Sequence, residues 1–134
     1  MMNIEWIGGE PTTRENILSL EKSEKIKLPR VYKETILLHN AASPIPETID
    51  CENLQFEVNN LLDINGDECN SIIFAKDILN DNGHTNLLPF AADSFGNYFC
   101  FNLLSNNSVV FWSNEDNSIH NLCETFEEFL GKLY

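Results

Sequence analysis

The side chains of this 134-residue chain with chemistry to offer are four cysteines, three histidines and 21 carboxylates. Cys51, Cys69, Cys100 and Cys123 form no CxxC pair and no CxxC…HxxxH arrangement, so their spacing builds no structural zinc site. His39, His84 and His120 supply no HExxH, and His120 has only Glu124 four residues on, where a helix beginning after Thr125 keeps the two off a common face. Asp63-Ile64-Asn65-Gly66-Asp67-Glu68 has the composition of a calcium loop, but its glycine stands fourth rather than sixth and no glutamate follows at the twelfth position. Around Asp81 the same test, run back from Gly83, puts Ile78 where the first ligand belongs. Both segments read as turns. No metal and no cofactor is expected.

Nucleophilic catalysis needs a Cys or Ser beside a base and an orienting group. The inventory holds such residues, yet Cys100 falls inside a predicted strand and Cys123 just before a predicted helix, neither on a glycine-rich elbow. Both read as small buried hydrophobes. Gly8-Gly9 is too short to cradle a phosphate, and Glu127-Glu128 complements the dipole of a helix's first turn. No catalytic residue is expected, and the chain does not read as an enzyme.

What remains is surface. Trp112 closes a predicted strand and is followed by Ser113-Asn114-Glu115-Asp116-Asn117, a polar and acidic loop. The plain reading of Trp112 is a core or edge aromatic. The sharper one makes it an anchor in a protein interface rimmed by carboxylates. The candidate contact residues are therefore Trp112, Glu115 and Asp116, with Asp93 and Asn97 from the tight turn Asp93-Ser94-Phe95-Gly96-Asn97. Asp67, Glu68, Asp77 and Asp81 form a second acidic region.

These residues need positioning. Thr12 and Glu15 have capping-box spacing before an apolar helix face that runs to about Lys22. Pro29 opens a second helix carrying Tyr32, Ile36 and Leu37, closed by Asn40 in a left-handed conformation ahead of Pro44 and Pro46. Leu54, Phe56 and Val58 then alternate with polar residues as a half-buried strand. Ser71–Leu79 reads as an extended start with a helical turn near Lys76–Asn80. Leu87–Ala91 is a short buried strand, and Tyr98–Leu103 with Ser108–Trp112 forms a hairpin across Ser105-Asn106-Asn107. On its first strand Phe99, Phe101 and Leu103 share one face. Thr125 caps a closing helix with Phe126, Phe129, Leu130 and Leu133 on one side. Two helices, a run of strands and one helix spell an α+β fold: a mixed or antiparallel sheet packed by two N-terminal helices and one C-terminal helix, in one domain spanning residues 1–134.

Eight Lys and Arg against 21 Asp and Glu leave a formal net charge of −13 and a pI near 4.4. Such a surface repels the phosphate backbone, so no nucleic-acid partner is expected, and a protein partner should be basic. Met1–Trp6 lacks a basic start and a long apolar run, and apolar stretches elsewhere reach about four residues, so neither a leader nor a membrane span is expected. Reduced thiols in a cytoplasmic protein follow as the default.

Three blocks, in order, resemble the SUKH superfamily, which contains many bacterial immunity proteins and distant eukaryotic relatives. Leu28-Pro29-Arg30-Val31-Tyr32-Lys33, with Ile36-Leu37 and Asn40-Ala41, is similar to the family's LPxxYxxFL followed by Asn-Gly. Leu88 through Phe101 resembles PFAxDxxGNxxCxD. Val110-Phe111-Trp112 with Glu115, then Thr125 through Leu130, resembles FWxxE and a closing SFEEFL helix. Departures are Asn102 for a common Asp, Asn114 for a common His and Ala41 for a common Gly. The resemblance implies an α+β domain without catalysis. It further implies an antidote that binds and blocks a cognate toxin, often a nuclease, through protein–protein contact. A regulatory or scaffold domain with an endogenous partner is the alternative; a thiol enzyme is a third, lacking an activated nucleophile.

Overall fold

Helix formation begins where Thr13 can cap it. The computed structural model describes residues 3–134, so the Met1 and Met2 part of the leader expectation lies outside the described residues. Strand β1 (Glu5–Ile7) leads through Gly8 and Gly9 to α1 (Arg14–Glu24). Gly9 is at φ +69, and a Cβ there would run into the Asn40 carbonyl oxygen and the Ala42 backbone, so this position requires glycine. The cap of α1 is Thr13, whose hydroxyl accepts the Asn16 N–H at 3.1 Å, one residue later than the Thr12–Glu15 spacing predicts. Thr12 is buried instead, and its hydroxyl reaches Asn65 Oδ1 across the chain at 3.3 Å. Lys25, left-handed at φ 56, ends the helix.

Pro29 precedes α2 (Arg30–His39), which buries Tyr32 and Ile36. The sequence predicts Asn40 as the left-handed closing residue, but Asn40 is extended and Ala41 takes φ 65. The reason is the Asn40 side chain. Fully buried, it donates to Asp63 Oδ1 at 2.8 Å and accepts the Ile64 N–H at 2.9 Å, which fixes its backbone and passes the reversal to its neighbour.

Strand β2 (Ser43–Ile45) pairs with β1, and β3 (Thr48–Cys51) with β4 (Leu54–Glu57), as two separate antiparallel ribbons. Within β4, Phe56 stacks on Phe111 at 4.1 Å between ring centroids, while Leu54 stands exposed beside the hairpin turn. After β5 (Asn60–Leu61) comes α3 (Ile72–Asp81), a full helix rather than the extended start and single turn expected. Ser71 caps it by accepting the Phe74 N–H, and Ile72, Ala75, Lys76 and Leu79 are buried at helical spacing. The β-branched Ile72-Ile73 pair disguises that period.

Strands β6 (Leu87–Ala92), β7 (Tyr98–Asn102), β8 (Ser108–Ser113) and β9 (Ser118–Cys123) complete an antiparallel sheet in the order β5-β6-β7-β8-β9, and α4 (Phe126–Gly131) follows from its Thr125 cap. Phe90, Phe99, Phe101 and Phe111 point from one sheet face into a cluster with Tyr32 of α2 and Phe126 and Phe129 of α4. The other face of β7 and β8, with Tyr98, Cys100, Val110 and Trp112, is buried as well. The fold is α+β with antiparallel pairing, and a fourth helix, α3, joins the three expected.

Candidate protein-binding face

The β6–β7 and β8–β9 turns lie at the same end of the sheet and are tied to each other. Asp93, 7% exposed, accepts the Phe95 and Asn97 N–H groups on Oδ1 and the Asn97 side-chain amide on Oδ2, all within 2.9 Å. Asn97 Oδ1 in turn accepts the Asn114 N–H at 2.9 Å, and Asn114 Nδ2 donates to the Phe95 carbonyl at 2.7 Å. Gly96, at φ +82, makes room for this: a Cβ there would sit 2.6 Å from the Asn114 amide nitrogen. Asp93 and Asn97 thus brace the loop from within. Glu115 and Asp116 stand exposed on the neighbouring turn.

Trp112 is 2% exposed and stacks on Tyr98 at 5.8 Å, so it lies behind this face. Its Nε1–H donates to Asn117 Oδ1 at 2.7 Å, and Asn117 donates to the Asn82 carbonyl just past α3. The indole holds the base of the β8–β9 turn and presents almost no surface to a partner. Of the five expected contact residues, the structure gathers all at one end of the sheet but exposes only Glu115 and Asp116 fully.

A chain of side chains crosses β9. His120 Nδ1 is 3.2 Å from Glu52 Oε1, His120 Nε2 is 2.9 Å from Ser118 Oγ, and Ser118 Oγ is 2.6 Å from Asp116 Oδ1. This has the outline of an acid–His–Ser relay, but the serine oxygen is shared between the imidazole and a second carboxylate, Asp116. The Asp116 carboxylate only accepts, so it competes with the imidazole for the single serine hydrogen. A serine base must accept at that nitrogen. The ring meets Glu52 directly and reaches Asp116 only through the Ser118 hydroxyl. The Ser118 hydroxyl, and then its N–H, hold the exposed Asp116 carboxyl below the usual carboxylate range and keep its charge.

The thiols fit the same picture. All four cysteines are free; Cys69 is exposed and Cys100 fully buried, with burial pushing the Cys100 thiol far up. Burial, helped by Glu52, raises Cys51 to about 11, and burial followed by Glu128 raises Cys123 to about 11. Thiols so shifted are poor nucleophiles at neutral pH. Among the described residues no three His, Cys, Asp or Glu side chains converge as metal ligands, and no helix is long and apolar enough to cross a membrane.

Charge is unevenly distributed along the chain. Residues 1–33 hold six basic against five acidic side chains, a net +1, whereas residues 34–134 hold two lysines against sixteen carboxylates, a net −14. One of those lysines, Lys76, is buried and bonded to Asn80 and the Thr85 carbonyl. An open cleft of about 470 Å³ between α1 and α2 is lined by Arg14, Arg30 and Lys33 together with Glu21 and Glu34, and Lys33 pairs with Glu21 at 3.4 Å and Arg30 with Glu34 at 3.8 Å, so charge on the helical side is mixed and nearly balanced.

Sequence reasoning missed Phe95, 82% exposed at the tip of the braced turn. The signal was there: an aromatic in a five-residue Asp-to-Asn turn has no room to fold inward. It also missed the Glu52–His120 pairing, which joins residues 68 positions apart and depends on how the end of β3 meets β9.

A search of curated proteins finds no match to this chain. A model of the SMI1 / KNR4 family (SUKH-1) matches residues 11–132, spanning every element from α1 to α4. Domains of this family are immunity-type domains, generally without catalytic activity. With that match over nearly its whole length, the chain belongs to the SMI1 / KNR4 family (SUKH-1).

Proposed function

We propose that this protein is an immunity protein that binds a cognate toxin domain and blocks it by protein–protein contact. The toxin is a basic protein, in keeping with a nuclease that must itself hold a polyanion, and the complex forms in the cytoplasm without nucleic acid or membrane. The observation that carries this reading is the net −14 over residues 34–134. A counterpart of opposite charge is steered to such a surface, raising encounter rates about 10- to 1,000-fold at low salt. Speed serves an antidote, because every unbound toxin molecule is free to act.

Contact centres on the end of the sheet where Glu115 and Asp116 are exposed, with Asp93, Asn97 and Trp112 holding the two turns in shape. Inhibition needs no covalent step. Cells producing the toxin encoded by the adjacent gene should survive when this chain is co-expressed, and the two purified proteins should form a stable complex. Death of those cells together with no complex would refute the proposal.

A further inference from the structure

We propose that Phe95 is the apolar anchor of the toxin interface, seated in a pocket on a basic partner; this rests on the immunity reading above. Phe95 is 82% exposed, although phenylalanine is among the residues most often buried. Its position is fixed from both sides. The Phe95 N–H donates to Asp93 Oδ1 at 2.9 Å, and its carbonyl accepts from Asn114 Nδ2 at 2.7 Å. Gly96 closes the turn against that same Asn114 amide. An aromatic ring on a braced backbone loses little conformational freedom on docking, which is what makes such side chains interface anchors.

Charge complementarity specifies the occupant. Residues 93–97 and 114–117, which form the two linked turns, contain Asp93, Glu115 and Asp116 and no Lys or Arg. Asp93 is spent inside the turn, while Glu115 and Asp116 remain exposed. The ring is thus flanked by negative charge on a molecule whose positive residues sit mainly on α1, α2 and their connection. A partner whose pocket takes Phe95 must meet those carboxylates with Lys or Arg at its rim. Leu104, 78% exposed in the β7–β8 turn at the opposite end of the sheet, is an equally exposed apolar side chain and serves as the internal control.

The test is the affinity of the purified toxin domain from the adjacent gene for the unsubstituted protein and for F95A, N114A and L104A. The expected result is a loss of at least about 30-fold for F95A, carried by faster dissociation. N114A, which frees the turn but keeps the ring, should lose less, and L104A should change affinity by less than about 2-fold. Thermal unfolding of F95A should match the unsubstituted protein, since the ring supports no core contact. Tight binding by both the unsubstituted protein and F95A would overturn the anchor and leave the immunity reading standing. The anchor falls in the same way if L104A is the variant that fails, or if F95A abolishes only self-association. No binding by the unsubstituted protein would remove the immunity reading and the anchor together.

Discussion

Asn40 shows how much one buried amide can hold. Its side chain bonds Asp63 and the Ile64 N–H, and its carbonyl accepts the Glu10 N–H at 3.0 Å, so α2, the Asp63 turn and the segment after β1 meet at this residue. Replacing Asn40 with Ala leaves the buried Ile64 N–H without its acceptor and should cost about 1–3 kcal/mol in urea unfolding. Asn40→Asp should be worse at neutral pH, because its carboxylate would face that of Asp63; an Asp variant as stable as the parent would contradict this account. Residue-scale signals in the sequence were uneven. Thr125 was readable as a cap because Phe126, Phe129 and Leu130 begin their period directly after it. Thr12 and Thr13 were not separable, since the choice between them depends on Asn65, 53 positions away.

At the scale of elements, Ala41 is the point of strain. It takes φ 65 where the family commonly has glycine, since Asn40 is committed elsewhere and α2 must still reverse into β2. A left-handed conformation costs a residue with a Cβ about 1–2 kcal/mol, while glycine's extra freedom in the unfolded chain returns about half of that. Ala41→Gly should therefore stabilise the protein by about 0.5–1 kcal/mol, read as a higher denaturant midpoint at unchanged slope. A lower midpoint would mean that the Ala41 methyl contributes packing that outweighs its strain. The central strands were legible because Leu88, Phe90, Phe99, Phe101 and Phe111 crowd them with apolar side chains. The edge strand β9 was not: Ser118, His120 and Asn121 have one strand neighbour and no need of an apolar pattern. Helix α3 was obscured because Ile72 and Ile73 favour strands intrinsically, and only tertiary packing of Ala75, Lys76 and Leu79 settles the matter.

For the whole molecule the organising fact is segregation of charge over an α+β scaffold. The total of −13 is plain from composition, but which carboxylates stand together on one end of the molecule is a property of the assembled sheet. Asp93 and Glu115 are 22 positions apart, and only antiparallel pairing of β6, β7 and β8 brings their turns to one end. The five residues named from sequence do gather there. Which of them brace the turns and which stand exposed was not legible, because hydrogen bonding between the two turns decides it.

The most direct test of a steered, non-covalent inhibitor is the association rate with the purified toxin domain, followed by stopped flow from low to high salt. The account predicts that the rate falls by about 10-fold or more as salt screens the carboxylates. The double variant Glu115→Lys with Asp116→Lys should slow association at low salt and flatten that dependence. An association rate indifferent both to salt and to the two substitutions would contradict it.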